Sequence, residues 1–422
     1  MNKIQLPPAL RYRNFALLWG GQFISVAGSQ MQLAALLWHL RLLSDQPIVV
    51  SGIGLARFLP ILLFAPLGGV FADSFNRRKI LFITQTTMLF TAAMLGLLTW
   101  LGVIQVWHIY LLTAIQAIAI SFDGPSRQSM IPNLVPREIF PSAFGLQSIA
   151  SNTGSIIGPA LSGLVIGYLG MYSVYWFNSA SFIAVLIALM LMGNIPQETH
   201  PAGVGIRFTI SSFGEGVRFI MAQPIILSSM ILDFVATFFS SANTLLPFVA
   251  KDVLHVGEFG YGWLVAAQSM GAVAVGLFFS QKTKIRRQGI LLLSAVTLFG
   301  VATILFGMAK LYWAAMLALI LVGAGDSIST ILRNTIRQLS TPDYIRGRMV
   351  AINQIFFQGG PQLGEIEAGL VAQAFGTPAA IISGGIGAIV GVVWIALRWP
   401  QLRRFDGAEL TQPENKNQTA GS

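Results

Sequence analysis

Twelve apolar runs divide the chain: 14–40, 48–72, 80–101, 107–126, 142–169, 172–193, 225–249, 259–280, 289–308, 311–332, 349–375 and 378–397. Each is long enough to cross about 30 Å of hydrocarbon as a helix rising roughly 1.5 Å per residue. The polar gaps between them are short, except 194–224, which lies halfway and carries Pro196, Pro201, Arg207 and Arg218. It reads as a cytoplasmic linker between two halves, 1–193 and 225–400, and its part from Phe208 to Ala222 predicts a surface helix. Residues 401–422 read as a polar, disordered cytoplasmic tail. The pattern predicts an all-α membrane protein with twelve transmembrane helices in two pseudo-symmetric six-helix bundles.

Composition narrows the picture. Hydrophobic residues make up 54% of the 422 and charged ones 10%, where a soluble domain carries about 25% charge. A net charge of +10 invites a nucleic-acid reading. The positions of the cations argue otherwise: with the N-terminus inside, 22 of the 26 Lys and Arg fall in cytoplasmic segments. Arg41, Lys251 and Lys310 lie on the far side, and Arg57 lies inside a span. This bias places both termini in the cytoplasm of a multi-pass inner (plasma) membrane protein. The lipid bilayer becomes the partner of the cations, and nucleic acid need not be invoked. There are no cysteines, and the four histidines (His39, His108, His200, His255) have no metal-ligand spacing. No phosphate-binding glycine loop and no catalytic constellation is present. Neither an enzyme, nor a metal, nor a cofactor is expected. No cleavable signal peptide is expected over Met1–Arg13.

The halves repeat. A shift of 206 residues carries Arg127 onto Arg333, Pro136 onto Pro342 and Ile139 onto Ile345. It also carries Gly154, Gly158 and Gly163 onto Gly360, Gly364 and Gly369. The fourth and fifth spans therefore correspond to the tenth and eleventh, as in two parallel repeats about an axis normal to the membrane.

Between the second and third spans lies Gly69-x3-Asp73-x2-Asn76-Arg77-Arg78. It resembles the signature loop of the major facilitator superfamily. Arg13-Asn-Phe with Gly21-Gln-Phe-Ile-Ser, Leu55-Ala-Arg57-Phe-Leu-Pro60, and Pro125-Ser-Arg127-Gln with Pro132-x3-Pro136-Arg137-Glu138 are similar to its drug, macrolide and siderophore exporters. The resemblance implies that Asp73 faces the eleventh helix when the molecule is open outwards, as a latch with Arg127 as a candidate partner. A carboxylate there gains from the helix dipole, by about 0.3–1 kcal/mol. The family usually has glycine at position 76, so Asn76 is expected to hold a positive φ. The alternative is that Asp73 and its cations only anchor a loop. Gly154-x3-Gly158-Pro159-x3-Gly163 resembles the superfamily's antiporter motif, which favours export over uptake; helix packing alone is the other reading.

Charges within spans usually face a cavity or a partner. Arg57 lies ~13 Å and Glu365 ~15 Å below the outer surface at the helical rise, on spans that the resemblance places opposite each other. Arg57 is therefore expected to approach Glu365 or Glu367, with Glu365, less surely Glu367 or Asp233, carrying a proton. A fixed structural ion pair is the alternative. Asp233 has no local partner in the sequence, whereas Asp326 has Arg333 and Arg337 nearby. Gln22, Gln116, Phe238, Asn243, Gln268, Asn353 and Phe357 are candidates to line an amphipathic cavity, and Trp38 is among the tryptophans expected at an interface. The function expected is export of an amphipathic small molecule, proton-coupled, by a monomer working through alternating access. Uptake symport of a metabolite, or a non-transporting membrane sensor, are the alternatives.

Overall fold

The computed structural model describes residues 7–193, 210–240, 243–281, 285 and 287–406. The side chains of 66, 70, 73, 210–213, 343, 344, 346–348, 350, 351, 354–356 and 358 are outside that description. The first half of the linker (194–209) and the tail beyond 406 also lie outside the described residues.

Six long helices form the first bundle: α1 (Arg13–Leu43), α2 (Pro47–Ser74), α3 (Arg77–Trp100), α4 (Val106–Met130), α5 (Phe140–Leu169) and α6 (Met171–Leu191). Helix α7 (Ile210–Ala222) falls where the linker predicted a surface helix, and it packs on α8 and α13. The second bundle holds α8 (Pro224–Ser240), continued through a short α9 (Leu246–Phe248) and a π-turn (Val249–Val253), then α10 (Glu258–Ser280), α11 (Gln288–Met308), α12 (Tyr312–Leu339), α13 (Asp343–Phe375) and α14 (Thr377–Arg398). A short α15 (Pro400–Arg404) follows. No strand occurs among the described residues. Ten helices are apolar and long enough to span a membrane on composition alone. α1 and α13 are as long, at 31 and 33 residues; α1 carries Gln22, Gln32, His39 and Arg41, all buried by its neighbours.

The repeat is visible in the backbone. Gly170 and Gly376, 206 residues apart, both adopt positive φ (87° and 88°) and join α5 to α6 and α13 to α14. Only glycine enters that region without steric cost. Pro136 and Pro342 share an extended conformation before α5 and α13. The packing glycines repeat as well. A Cβ on Gly154 or Gly158 would strike Val26, Ala27 or Gln30 of α1; one on Gly360 or Gly364 would strike Thr237 or Phe238 of α8.

Two faces can be told apart. The near face carries the described ends of the chain, and the far face carries the turns after α1, α5, α11 and α13. Around the far face one hydrophobic core spans both bundles, from Trp38, Val50 and Ile53 to Tyr261, Leu264 and Ala368. Towards the near face the cores are separate, one around Phe15, Met130 and Leu189, the other around Leu292, Leu332 and Ile395. Among the described residues the bundles therefore share a hydrophobic core at one end and have separate cores at the other.

Several sequence expectations change here. Asn76 has φ −64° and caps α3, its side-chain oxygen accepting from the Lys79 N–H at 3.1 Å. Capping an exposed helix N-terminus is what asparagine does well, so no left-handed turn is needed. Trp38 is not an interfacial belt residue: it is buried and stacks on Tyr261 of the other bundle at 5.0 Å. α12 runs about two turns beyond its apolar run, and Arg333 and Arg337 on that extension lie in the protein interior instead of at the surface.

Close seams make a packing prediction. A Cβ on Gly323 of α12 would lie 1.8 Å from the Gln268 carbonyl of α10. Gly323→Ala is expected to cost about 1–3 kcal/mol by overpacking, read as a lower melting temperature in detergent.

Candidate functional site

Two antiparallel seams join the bundles. In one, α5 meets α10: Pro159 and Gly163 lie against Gly262, Glu258 and Phe259. In the other, α13 meets α2: Gly369 lies against Ser51 and Ile48, Glu365 and Gln362 against Gly54, and Gly359 against Phe58. The 206-residue shift relates these seams and carries Pro159 onto Glu365 and Arg57 onto Trp263. One seam is thus apolar where the other is charged.

Glu365 lies at the second seam near Arg57: its carboxylate packs against Gly54, three residues before Arg57 on α2. They make no ion pair within 4.0 Å, so the expected close pair is a loose one. Glu367 is half-buried, and no charged partner for it occurs among the described residues. Closer to the far surface, Arg41 donates two hydrogen bonds to Asp252 at 2.8 and 3.0 Å and also binds Asp45. Ser51 and Thr244 hydroxyls meet at 3.0 Å, and the Tyr261 hydroxyl donates to the Ala34 carbonyl at 3.0 Å. Asp252 and Tyr261 are residues that sequence reasoning passed over, because their partners lie more than 200 positions away.

Within the first bundle is a cavity of about 350 Å³. Its polar lining comes from α1 to α5 and includes Gln30, Gln32, Arg57, Gln85, Gln116 and Asp123. Gln32 donates to Gln116 at 2.9 Å and accepts from Asn178 at 2.7 Å. Asp123 accepts from Thr84 at 3.1 Å and Gln85 at 2.7 Å and is paired with Arg127. Arg127, expected to reach Asp73, therefore turns inward to its own helix, and the Asp73 side chain lies outside the description. Arg77 instead donates to the backbone carbonyls of Ala72 and Ser129, at 3.0 and 2.8 Å, and Arg78 to that of Met190 at 3.3 Å. Gly69 has open space at its Cβ position.

The other cavity candidates scatter. Of the seven, only Gln116 lines this cavity. Gln22 is buried, Asn243 and Phe357 are exposed, and Phe238 stacks on Phe234 at 5.7 Å. Gln268 and Asn353 are half-buried, and the Asn353 side-chain oxygen is unpaired. Amides and aromatics mark a helix face without saying which face turns to a cavity, which is why the sequence overselected them.

The second bundle contains a buried ion network. Asp233 of α8, 1% exposed, meets Arg333 at 3.1 Å and Arg337 at 3.0 Å, both on α12. Arg333 also lies 3.8 Å from Asp326, which is 46% exposed. Asp233 thus has two partners, although none was apparent near it in sequence, and Asp326 shares one of them. Removing one member of a buried pair leaves a charge without compensation, at about 3–5 kcal/mol. Asp233→Ala is therefore expected to lower thermal stability sharply, and Asp326→Ala to have a much smaller effect, in the same unfolding assay.

Comparisons with known proteins agree with this architecture. The family described as "transmembrane secretion effector" matches residues 6–419. The multidrug efflux pump Tap of Mycolicibacterium fortuitum is 25% identical over 402 residues, covering 93% of this chain and 96% of the relative. The enterobactin exporter EntS of Shigella boydii is 26% identical over 339 residues, covering 80% of each. Among solved structures, a bacterial homologue of the human lysosomal transporter Spinster, in its inward-facing and unoccupied conformation, aligns with a TM-score of 0.69 at 15% identity, over 96% of this chain and 98% of that one. Neither the family nor these relatives are enzymes, and the chain belongs to the transmembrane secretion effector family of transporters, within the major facilitator superfamily.

Proposed function

We propose that the protein exports an amphipathic small molecule, coupled to inward proton movement, by rocking its two bundles about the far-face seams. The observation that carries this reading is the charged seam. A membrane carboxylate at a joint between moving bodies, with a single arginine acting on it, has two environments available. Burial favours the protonated carboxyl, and an adjacent guanidinium favours the ionised one. Opening the α2–α13 seam would move Glu365 from one regime to the other, which is what proton coupling needs. Glu365 is the carrier in this scheme, and Arg57 sets its charge. Glu367, away from any described cation, and Asp233, held by two arginines, are weaker carriers.

Direction rests on two supports. Relatives are named an efflux pump and an exporter, and the cation bias puts the near face, with both termini, in the cytoplasm of an inner membrane. In this reading the near face is the side that opens inwards, and substrate would be loaded from the cytoplasm. The antiporter-like glycines carry less weight for direction, because Gly360 and Gly364 do the same packing in the other bundle. The protein would work as a monomer, since each seam lies within one chain.

The coupling test uses reconstituted protein and a compound found by screening a deletion strain for hypersensitivity and for lost siderophore secretion. Glu365→Gln is expected to abolish transport driven by a pH gradient while substrate exchange across the membrane continues. Undiminished coupling in that variant would remove Glu365 from the role.

Gating has its own test. The chain lacks cysteine, so single cysteines report cleanly. Asp45→Cys should react with a membrane-impermeant maleimide in intact cells, and Gln281→Cys only after permeabilisation. Cysteine at buried Ile53 should be slow to label, and faster severalfold once Arg41→Ala breaks the tie to Asp252; an unchanged rate would mean that this ion pair does not hold the far face shut.

A further inference from the structure

We propose that the first-bundle cavity binds a small acidic molecule and that Arg57 reads its negative charge. This deepens the transporter reading and rests on it. The charged residues lining the cavity are Arg57, Asp123 and Arg127. Asp123 and Arg127 neutralise each other. Arg57 remains; the charge that acts on it, Glu365, lies outside the lining and beyond ion-pair distance. Its guanidinium makes no described hydrogen bond and no ion pair within 4.0 Å. It is half-buried, and none of its nitrogens is sealed from solvent. Arg57 thus brings to the lining a planar fork of N–H donors, a geometry suited to a carboxylate. A cationic guest would meet a net positive lining whose only carboxylate is already engaged.

The volume, about 350 Å³, lies near the lower end of the ~300–1,000 Å³ typical of ligand pockets. The guest is therefore a small monoanion. Glu365 acts on the same arginine from the seam side. A bound anion competes with it, so occupancy of the cavity loosens this electrostatic tie across the α2–α13 seam.

The test is calorimetric titration of the full chain in lipid nanodiscs with three matched probes: hippurate, the neutral hippuramide and the cationic benzamidine. Hippurate is expected to bind tighter than hippuramide by about tenfold or more, the scale of a charge-assisted hydrogen bond. Arg57→Gln should erase that preference while hippuramide still binds, which also reports that the variant is folded. Arg57→Lys should keep part of the preference. Glu365→Gln should tighten hippurate alone, by removing its competitor. Equal affinities, a preference for benzamidine, no binding of any probe, or a preference that survives Arg57→Gln would each overturn the proposal. If Arg57→Gln binds nothing, Arg57→Lys decides: a retained preference upholds the proposal and a lost one overturns it. Failure of the transporter reading looks different, as a deletion strain with no efflux phenotype; efflux of cations alone would leave transport intact and remove only this site.

Discussion

The structure depends on how closely two backbones can approach without side chains between them. α5 and α13 each present glycines on two faces, one towards the first or last helix pair of their own bundle and one towards the opposite bundle. Interhelical contact in a membrane gains little from the hydrophobic effect, since lipid is as apolar as leucine; it relies on close packing and on small residues that permit it. These two helices therefore serve as the axles of the molecule. They tie the bundles together at the far face, where the shared core lies, and leave them separate at the near face.

The repeat makes the difference between the two seams informative. Equivalent positions hold Pro159 and Trp263 in one and Glu365 and Arg57 in the other. An apolar, tightly packed seam has one low-energy arrangement. A seam with a charge on each side has at least two, because protonation or a competing anion alters the attraction at little cost in packing. Asymmetry at one pair of equivalent positions thus turns a symmetric scaffold into one with a directional input. The buried networks at Asp123 and Asp233 play the opposite part. Each carboxylate is satisfied within its own bundle, and a paired charge in low dielectric is costly to separate. They tie helices together within each bundle and do not cross between the bundles.

Much of this could be read along the chain because a membrane imposes simple rules on sequence. A span must be apolar for about twenty residues, so the runs located the helices to within a few residues at most ends. The exceptions are instructive. α12 and α13 extend beyond their apolar runs because there the neighbours of a helix are protein and water-filled space, not lipid, and polarity carries no penalty. The repeat was legible for the same reason as the axles: glycine cannot be replaced where backbones touch.

The sequence by itself determined the helices, the two-fold repeat and the sidedness of charge, since each follows from local hydropathy or from a fixed spacing within a repeat; the expectation that Arg57 opposes Glu365 needed the family resemblance as well. Only the tertiary structure decided the partners. Asp233 found Arg333 and Arg337, Arg127 turned to Asp123, Trp38 left the membrane surface for Tyr261, and one of seven amide and aromatic candidates reached the cavity. The physical reason is rotation. A hydropathy pattern places a residue at a depth along its helix, but the direction in which it points is fixed by which neighbours can pack against it, and those neighbours are more than a hundred residues away in the chain.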